Sequence, residues 1–382
     1  MISQSDKQPL IASIVRQAGE MERLSDNDVM RLITAEVSRR THGKRLSLKD
    51  RKALIEKLFQ TMRGLDILQP LVDDQEITEI MVNGHDTIFI EKDGQLALVP
   101  LAFEDKEHLI QVITRFFGRS NRLINEQKPI ADLRLEDGSR VHAVLPPAAP
   151  NGPILCIRRF TGIRPEIGAL VEAGSMSAEA AAFLNRLVLQ KKNVFVSGGT
   201  GTGKTTLLNA LSTFIPVTER IITIEDAMEL QLPTIENIVR LEARIAGPDG
   251  QGEISLSDLI RSSLRLRPDR IIVGEVRGKE AYDMLQAMQT GHPGSMSTGH
   301  GNSAEAMLER LSLLLLTSSQ LPWEACRRLI ASSLDFLIHL ERKSDGSRVI
   351  EKIVEIEKYD AQQFVLRTHF IRNENGDLLY VA

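Results

Sequence analysis

Cysteine and aromatic residues are scarce in this sequence. Its two cysteines, Cys156 and Cys326, form no C-x-x-C pair and support neither a zinc ribbon nor a disulfide framework. That usage fits a reducing compartment. Aromatics make up 4% of the chain, which argues against a ligand gripped by aromatic stacking. No apolar run approaches the ~18 residues that a membrane-spanning helix needs. The longest candidate, Leu313 to Leu316, is flanked by Glu309, Arg310 and Ser318. The N-terminus, MISQSDKQPL, lacks the apolar core of a signal peptide. The expectation is a cytoplasmic protein whose membrane role, if any, is peripheral. A basic excess is missing too. The net charge is −4 and the pI about 6.1, which argues against a general nucleic-acid binder.

What is present is ordinary globular material. Apolar residues make up 42% and charged residues 26% of 382, enough for two or three domains. Residues 1–66 read as a helical region, with apolar sets at helical spacing: Leu10, Ile14, Val15; Val29, Leu32, Ile33, Val37; and Ala53, Leu54, Leu58, Phe59. Ser47 with Asp50 suits an N-cap. Basic residues outnumber acidic ones here, densest from Arg39 to Arg45. That segment reads as a solvated helix end, or as a docking patch for an acidic partner or membrane surface.

Residues 67–162 change texture. Short alternating segments predict strands at 77–83, 87–92, 95–99, 131–135, 140–145 and 154–160, with a helix at 106–117 and hairpin turns at Asp93-Gly94 and Glu136-Asp137-Gly138. This predicts an α+β sensor-like domain. Gly162, Pro165, Gly168 and Gly174 suit a linker. From 163 to 382 helices alternate with Ile- and Val-rich segments, at 193–197, 220–225 and 270–274, which predicts an α/β domain with buried parallel strands.

The chemistry concentrates in that last part. Gly198-Gly199-Thr200-Gly201-Thr202-Gly203-Lys204-Thr205 follows an apolar strand and opens a helical pattern, the context that a phosphate-binding loop requires. Glycines let backbone N–H groups converge on phosphates, and the helix N-terminus favours anions. Lys204 would reach the β- and γ-phosphates, and the Thr205 hydroxyl would ligate Mg²⁺. A second apolar strand leads to Gly274-Glu275, and Glu275 is placed to polarise an attacking water. A third strand ends in Glu225-Asp226-Ala227-Met228-Glu229, where three carboxylates need an arginine or a bound Mg²⁺ to offset repulsion. Thr290 to His300 reads as a glycine-rich loop whose histidines, His292 and His300, could donate to a γ-phosphate. Arg134, Arg140, Arg158, Arg159 and Arg277 are candidates for mobile positive charge.

These four motifs, in this order, resemble the type II/IV secretion ATPase superfamily: a Walker A at 198–206 (including Thr206), an aspartate box at 224–229, a Walker B at 271–275 ending Gly-Glu, and a histidine box at 290–300. The stretches PLVDDQEITEIMVNG (70–84), DLRLEDGSRV (132–141), IRRF (157–160), GEISLSDLIR (252–261) and RPDRIIVGEVRG (267–278) resemble the Tad/Flp pilus branch most. The resemblance covers roughly residues 68–342. It implies a RecA-like P-loop ATPase domain behind a PAS-like sensor domain, in a homo-hexamer that holds Mg·ATP between them and drives an inner-membrane platform protein. It implies that Arg134 and Arg140 contact phosphate and that His300 senses the γ-phosphate. Pro293 and Gly299 depart from the bulkier or polar residues expected in the histidine box. The four-cysteine zinc element of the general secretion branch is absent. A type IV secretion traffic ATPase and a DNA translocase are the rival motors.

Overall fold

The computed structural model describes residue 13 and residues 25–41, 47–92, 94–120, 122–135, 137–159, 166–244, 246, 251–360 and 362–381. Leu10, Ile14, Val15, Asp93, Glu136 and the basic run from 42 to 45 lie outside them. The chain divides into two compact units, Met1–Thr161 and Gly162–Ala382.

The first unit opens with helices α1 (Asp26–Thr41) and α2 (Leu48–Arg63). Val29, Ile33 and Val37 recur every four residues and bury their stripe against Leu58 and Met62. A six-stranded antiparallel sheet follows, with β1 (Ile77–Asn83), β2 (Ile88–Lys92), β3 (Gln95–Val99), β4 (Ile130–Arg134), β5 (Arg140–Val144) and β6 (Ile154–Arg158). Their order is β3-β2-β1-β6-β5-β4: two meanders joined where β1 meets β6. One face carries Ile80, Val82, Val141, Ala143, Leu155 and Ile157. It packs on Leu109, Val112, Ile113 and Phe117 of α3 (Lys106–Arg119). Asp105 caps that helix by accepting from the N–H of His108 at 2.7 Å.

Because side chains alternate along a strand, the opposite face gathers the polar positions. Register aligns Glu91, Glu79, Arg158, Arg140 and Arg134 in one row across five strands. Glu79 lies 3.4 Å from Arg158. Arg140 faces Arg134 on one side and Arg158 on the other, and like charges directly opposite disfavour a sheet unless an anion offsets them.

The second unit is built on a nine-stranded sheet of order β15-β14-β13-β12-β7-β11-β10-β8-β9. Its parallel part comprises β7 (Val194–Gly198), β8 (Ile221–Glu225), β9 (Ile238–Glu242), β10 (Arg270–Val273), β11 (Met296–His300) and β12 (Phe336–Arg342). Every residue of β7, β8 and β10 is buried, which explains why each is dense in Val, Ile or Phe. One face packs on α4 (Ala178–Leu189) and α5 (Lys204–Ser212). The other packs on α6 (Leu256–Ser263), α7 (Glu280–Gln289), α8 (Ala304–Ser318) and α9 (Trp323–Ser333). Antiparallel β13 (Arg348–Asp360), β14 (Gln363–Arg372) and β15 (Leu378–Tyr380) extend the sheet beyond β12. Among the described residues no helix is long and apolar enough to cross a membrane.

Candidate active site

Parallel strands deliver the candidate residues to one edge of the second sheet. β7 ends at Gly198 and the chain turns at once into the phosphate-loop motif. Gly201 (φ +71°) and Gly203 (φ +91°) take a left-handed backbone that L side chains rarely adopt. Gly203 is also the N-cap of α5, so the open N–H groups of the first helical turn adjoin the loop. A Cβ on Gly198 would stand 2.6 Å from both the Leu340 carbonyl and the Thr202 hydroxyl, so only glycine fits there. Thr202 Oγ1 in turn donates to the Gly199 carbonyl at 3.0 Å. Thr205 and Thr206 open α5 with half-buried side chains.

Lys204 is buried. Its ammonium donates to the carbonyls of Gly198 (3.1 Å) and Gly199 (2.8 Å) and to Nδ1 of His300 (3.4 Å). An ammonium has no lone pair, so Nδ1 must accept and the imidazole proton sits on Nε2. That nitrogen lies 2.8 Å from Oε1 of Glu275. Burial lowers the pKa of His300 below its ordinary 6.5. Glu275 pulls it upward without restoring it, while Lys204 and Arg277 push it further down. His300 is therefore neutral at pH 7, a link between the phosphate-loop lysine and the carboxylate.

The second oxygen of Glu275, Oε2, accepts from Arg277 Nη2 at 2.8 Å. Burial pushes this carboxyl upward, but the Arg277 hydrogen bond and charge, with His300 and Lys204, outweigh it. Glu275 stays below the ordinary 4.5 and is ionised. Arg277 Nη1 also lies 3.9 Å from Asp226. One guanidinium thus spans the ends of β10 and β8 and supplies positive charge that the acidic run needs.

Glu225 closes β8 and is 3% exposed. Its Oε2 accepts the backbone N–H of Glu229 (2.8 Å) and of Leu230 (2.9 Å). Asn209 of α5 braces the same loop by accepting from the Gln231 N–H at 2.8 Å. A Cβ on Gly274 would stand 3.0 Å from Glu225 Cγ, so the glycine before Glu275 is a steric requirement of Glu225's seat. Thr298 Oγ1 donates to the Gly274 carbonyl at 2.8 Å and ties β11 to that turn.

The two histidines do not share one glycine-rich loop. Met296–His300 is strand β11, in register with β7, so His300 stands beside Gly198. His292 precedes that strand, at the opposite edge of the sheet, where Asn193 Oδ1 accepts the N–H groups of Gly294 and Ser295 at 2.9 and 3.1 Å. His292 Nδ1 lies 3.2 Å from the Ala287 carbonyl. The unexpected Gly299 has a packing reason: a Cβ there would stand 2.9 Å from Cζ of Phe195.

The structure thus brings together Gly198 to Thr206, Lys204, Glu225, Glu275 and His300. Arg134 and Arg140 lie in the first unit, paired across β4 and β5. Among the described residues no group of three or more His, Cys, Asp or Glu is arranged to hold a metal. The donor set nonetheless fits Mg²⁺ arriving with phosphates. That ion takes oxygen ligands and keeps waters, and a hydroxyl and a carboxylate, as on Thr205 and Glu225, are donors of that type.

Residues 61–368 match the family model for type II/IV secretion system proteins. The chain belongs to that family. Relatives of this secretion-family protein include a putative conjugal transfer protein of Mycobacterium tuberculosis, 33% identical over 329 residues, covering 84% of this chain and 93% of the relative. Type IV secretion system protein VirB11 of Brucella suis is 35% identical over 320 residues, covering 76% of this chain and 88% of the relative. The solved structure of the pilus retraction motor PilT with bound ADP aligns at TM-score 0.53 and 21% identity, over 82% of this chain and 84% of that one. This last likeness is one of fold: a RecA-like domain that follows a smaller α+β unit along the chain.

Two site features escaped sequence reading. The brace from Asn209 and the tie from Thr298 have no local signal, because each acts across elements that are distant in the chain. Arg277 was visible as a charge beside Glu275, but its bridge to Asp226 depends on β10 lying next to β8.

Proposed function

We propose that this protein is an ATP-hydrolysing motor of a Tad/Flp-type pilus assembly machine, working as a homo-hexamer on an inner-membrane platform protein from the cytoplasmic side. One observation carries the reading: Lys204, neutral His300 and ionised Glu275 form a continuous chain beside the phosphate loop. Lys204 and the loop's N–H groups would hold the β- and γ-phosphates. Glu275 would orient a water whose oxygen attacks the γ-phosphorus as the bond to the bridging oxygen breaks and ADP leaves. Thr205 and Glu225 would hold Mg²⁺, which when bound draws charge from the phosphates. Arg134 and Arg140 would offset the charge that develops on the γ-phosphate. His300 would register whether that phosphate is present. The division of labour follows three segments: a helical region at 1–66, the arginine-bearing domain at 67–162 and the ATPase domain at 163–382.

A second reading is favoured by the relatives' identity: a traffic ATPase of a type IV secretion system, with the same chemistry and a different platform. DNA-stimulated turnover would instead point to a DNA translocase, a reading that the acidic pI opposes. The deciding experiment measures phosphate release from Mg·ATP by wild type and Glu275→Gln, with oligomer mass followed on the same samples. Turnover that needs Glu275 and accompanies a hexamer supports the motor. Equal release from both proteins removes Glu275 from the chemistry.

A further inference from the structure

The β12–β13 hairpin carries two arginines that neither the motifs nor the chemistry above employs. Register places Leu340 of β12 beside Gly198, the first residue of the phosphate loop. Two residues on, Arg342 closes β12, and its Nη1 lies 3.7 Å from where a Cβ on Gly201 would stand. β13 returns directly opposite, with Arg348 paired to Arg342. Arg348 Cδ lies 3.6 Å from where a Cβ on Gly203 would stand. Both guanidinium side chains therefore flank the two glycines whose left-handed backbone shapes the loop.

Their charge state is unusual for a hairpin. Like charges directly opposite on a two-stranded ribbon disfavour pairing. The cation beside them, Lys343, is neutralised by Glu341 at 2.7 Å and Glu351 at 3.1 Å. Among the described residues neither Arg342 nor Arg348 has a carboxylate partner, and both are exposed. Two cations held against an anion-binding loop, with their repulsion left standing, are arranged for an anion that arrives there.

Sheet order says which part of the ligand they meet. Glu275 and His300 belong to the β10 and β11 side of β7, and β12 lies on the other side. The γ-phosphate end belongs with Glu275. We propose that Arg342 and Arg348 are nucleotide-binding residues that clamp the α- and β-phosphates, the part common to ATP and ADP. The proposal rests on the ATPase reading above and deepens it. Contacts made equally to substrate, transition state and product set affinity and leave the chemical step alone.

The test uses the full-length chain and ADP as the probe, titrated by calorimetry into wild type, Arg342→Gln, Arg348→Gln and the double variant. Each single change raises the ADP dissociation constant about tenfold, as loss of one charge-assisted phosphate contact implies. The double change raises it further, and the KM for ATP rises in parallel. The melting temperature of the nucleotide-free variants stays level or rises, because the repulsion is gone. ADP affinity unchanged in the double variant overturns the proposal. So does weakened binding accompanied by a lower nucleotide-free melting temperature, since the arginines would then be holding the loop. Failure of wild type itself to bind ADP would sink the nucleotide reading, and this inference with it.

Discussion

Glu275→Gln separates chemistry from binding because the substitution preserves shape and removes charge. The carboxylate accepts a hydrogen bond from Nη2 of Arg277 on Oε2, and its Oε1 stands against Nε2 of His300, each at 2.8 Å. A glutamine amide has one oxygen and one NH₂, so keeping its oxygen on Arg277 sets its NH₂ against Nε2 of His300. A charge-assisted hydrogen bond contributes about 1.5–3 kcal/mol when well buried. Arg277's side chain is 53% exposed, which screens its share. The net destabilisation is therefore about 1–2 kcal/mol, a fall in Tm of roughly 2–8 °C for a unit of this size. Catalysis loses far more. Removing a general base costs about 10²- to 10⁴-fold in rate, or roughly 3–5.5 kcal/mol of barrier. ADP affinity stays close to wild type, because Glu275 belongs with the γ-phosphate end. Single-turnover phosphate release with labelled ATP measures the rate, and ADP calorimetry measures the binding. A variant that releases phosphate within threefold of wild type refutes the assignment. A variant that loses ADP binding as well shows that Glu275 props the loop and does not activate water.

Arg140→Ala should lower kcat by about 10³-fold or more, the magnitude of a lost phosphate-stabilising arginine, with ADP affinity held; full turnover would remove the arginine row from the mechanism. Gly299→Ala should cost about 1–3 kcal/mol by overpacking, since its Cβ meets Phe195 at 2.9 Å and Met307 at 3.1 Å; an unchanged urea midpoint would show that the β7 strand gives way freely. His300 and His339 are both depressed, first by burial, below the ordinary 6.5. The unfolded chain therefore binds protons that the folded one refuses, and stability should be full above pH 6.5 and fall as pH drops below it. His339→Gln should flatten that slope in denaturant titrations, whereas a wild-type stability that is level or rising as pH drops below 6.5 contradicts the burial argument.

Much of the fold was legible because its signals are local. Alternation and turn residues placed the strands of the first sheet within a residue or two, and Ser47, read as an N-cap, accepts the Asp50 N–H at 3.1 Å. The phosphate loop was legible for the same reason: strand, glycines, lysine and helix are contiguous. Legibility ended where function depends on register between distant strands. Nothing in Thr290 to His300 says that its second half is a buried strand, because Met-Ser-Thr-Gly-His lacks the β-branched apolar run of its neighbours. It is a strand because β7 and β10 on either side supply hydrogen-bond partners. That tertiary decision sends His300 to one edge of the sheet and leaves His292 at the other. The antiparallel extension from β13 to β15 was not read either. Its alternation is blurred by the register shifts between Ile353 and Val354 and between Ile356 and Lys358. The same limit hid Arg342 and Arg348, which lie about 140 residues from the loop they flank. A surface arginine is ordinarily uninformative. What makes these two informative is a pairing of strands, β7 with β12 and β12 with β13, that brings charge to a loop whose own sequence ends in a single lysine.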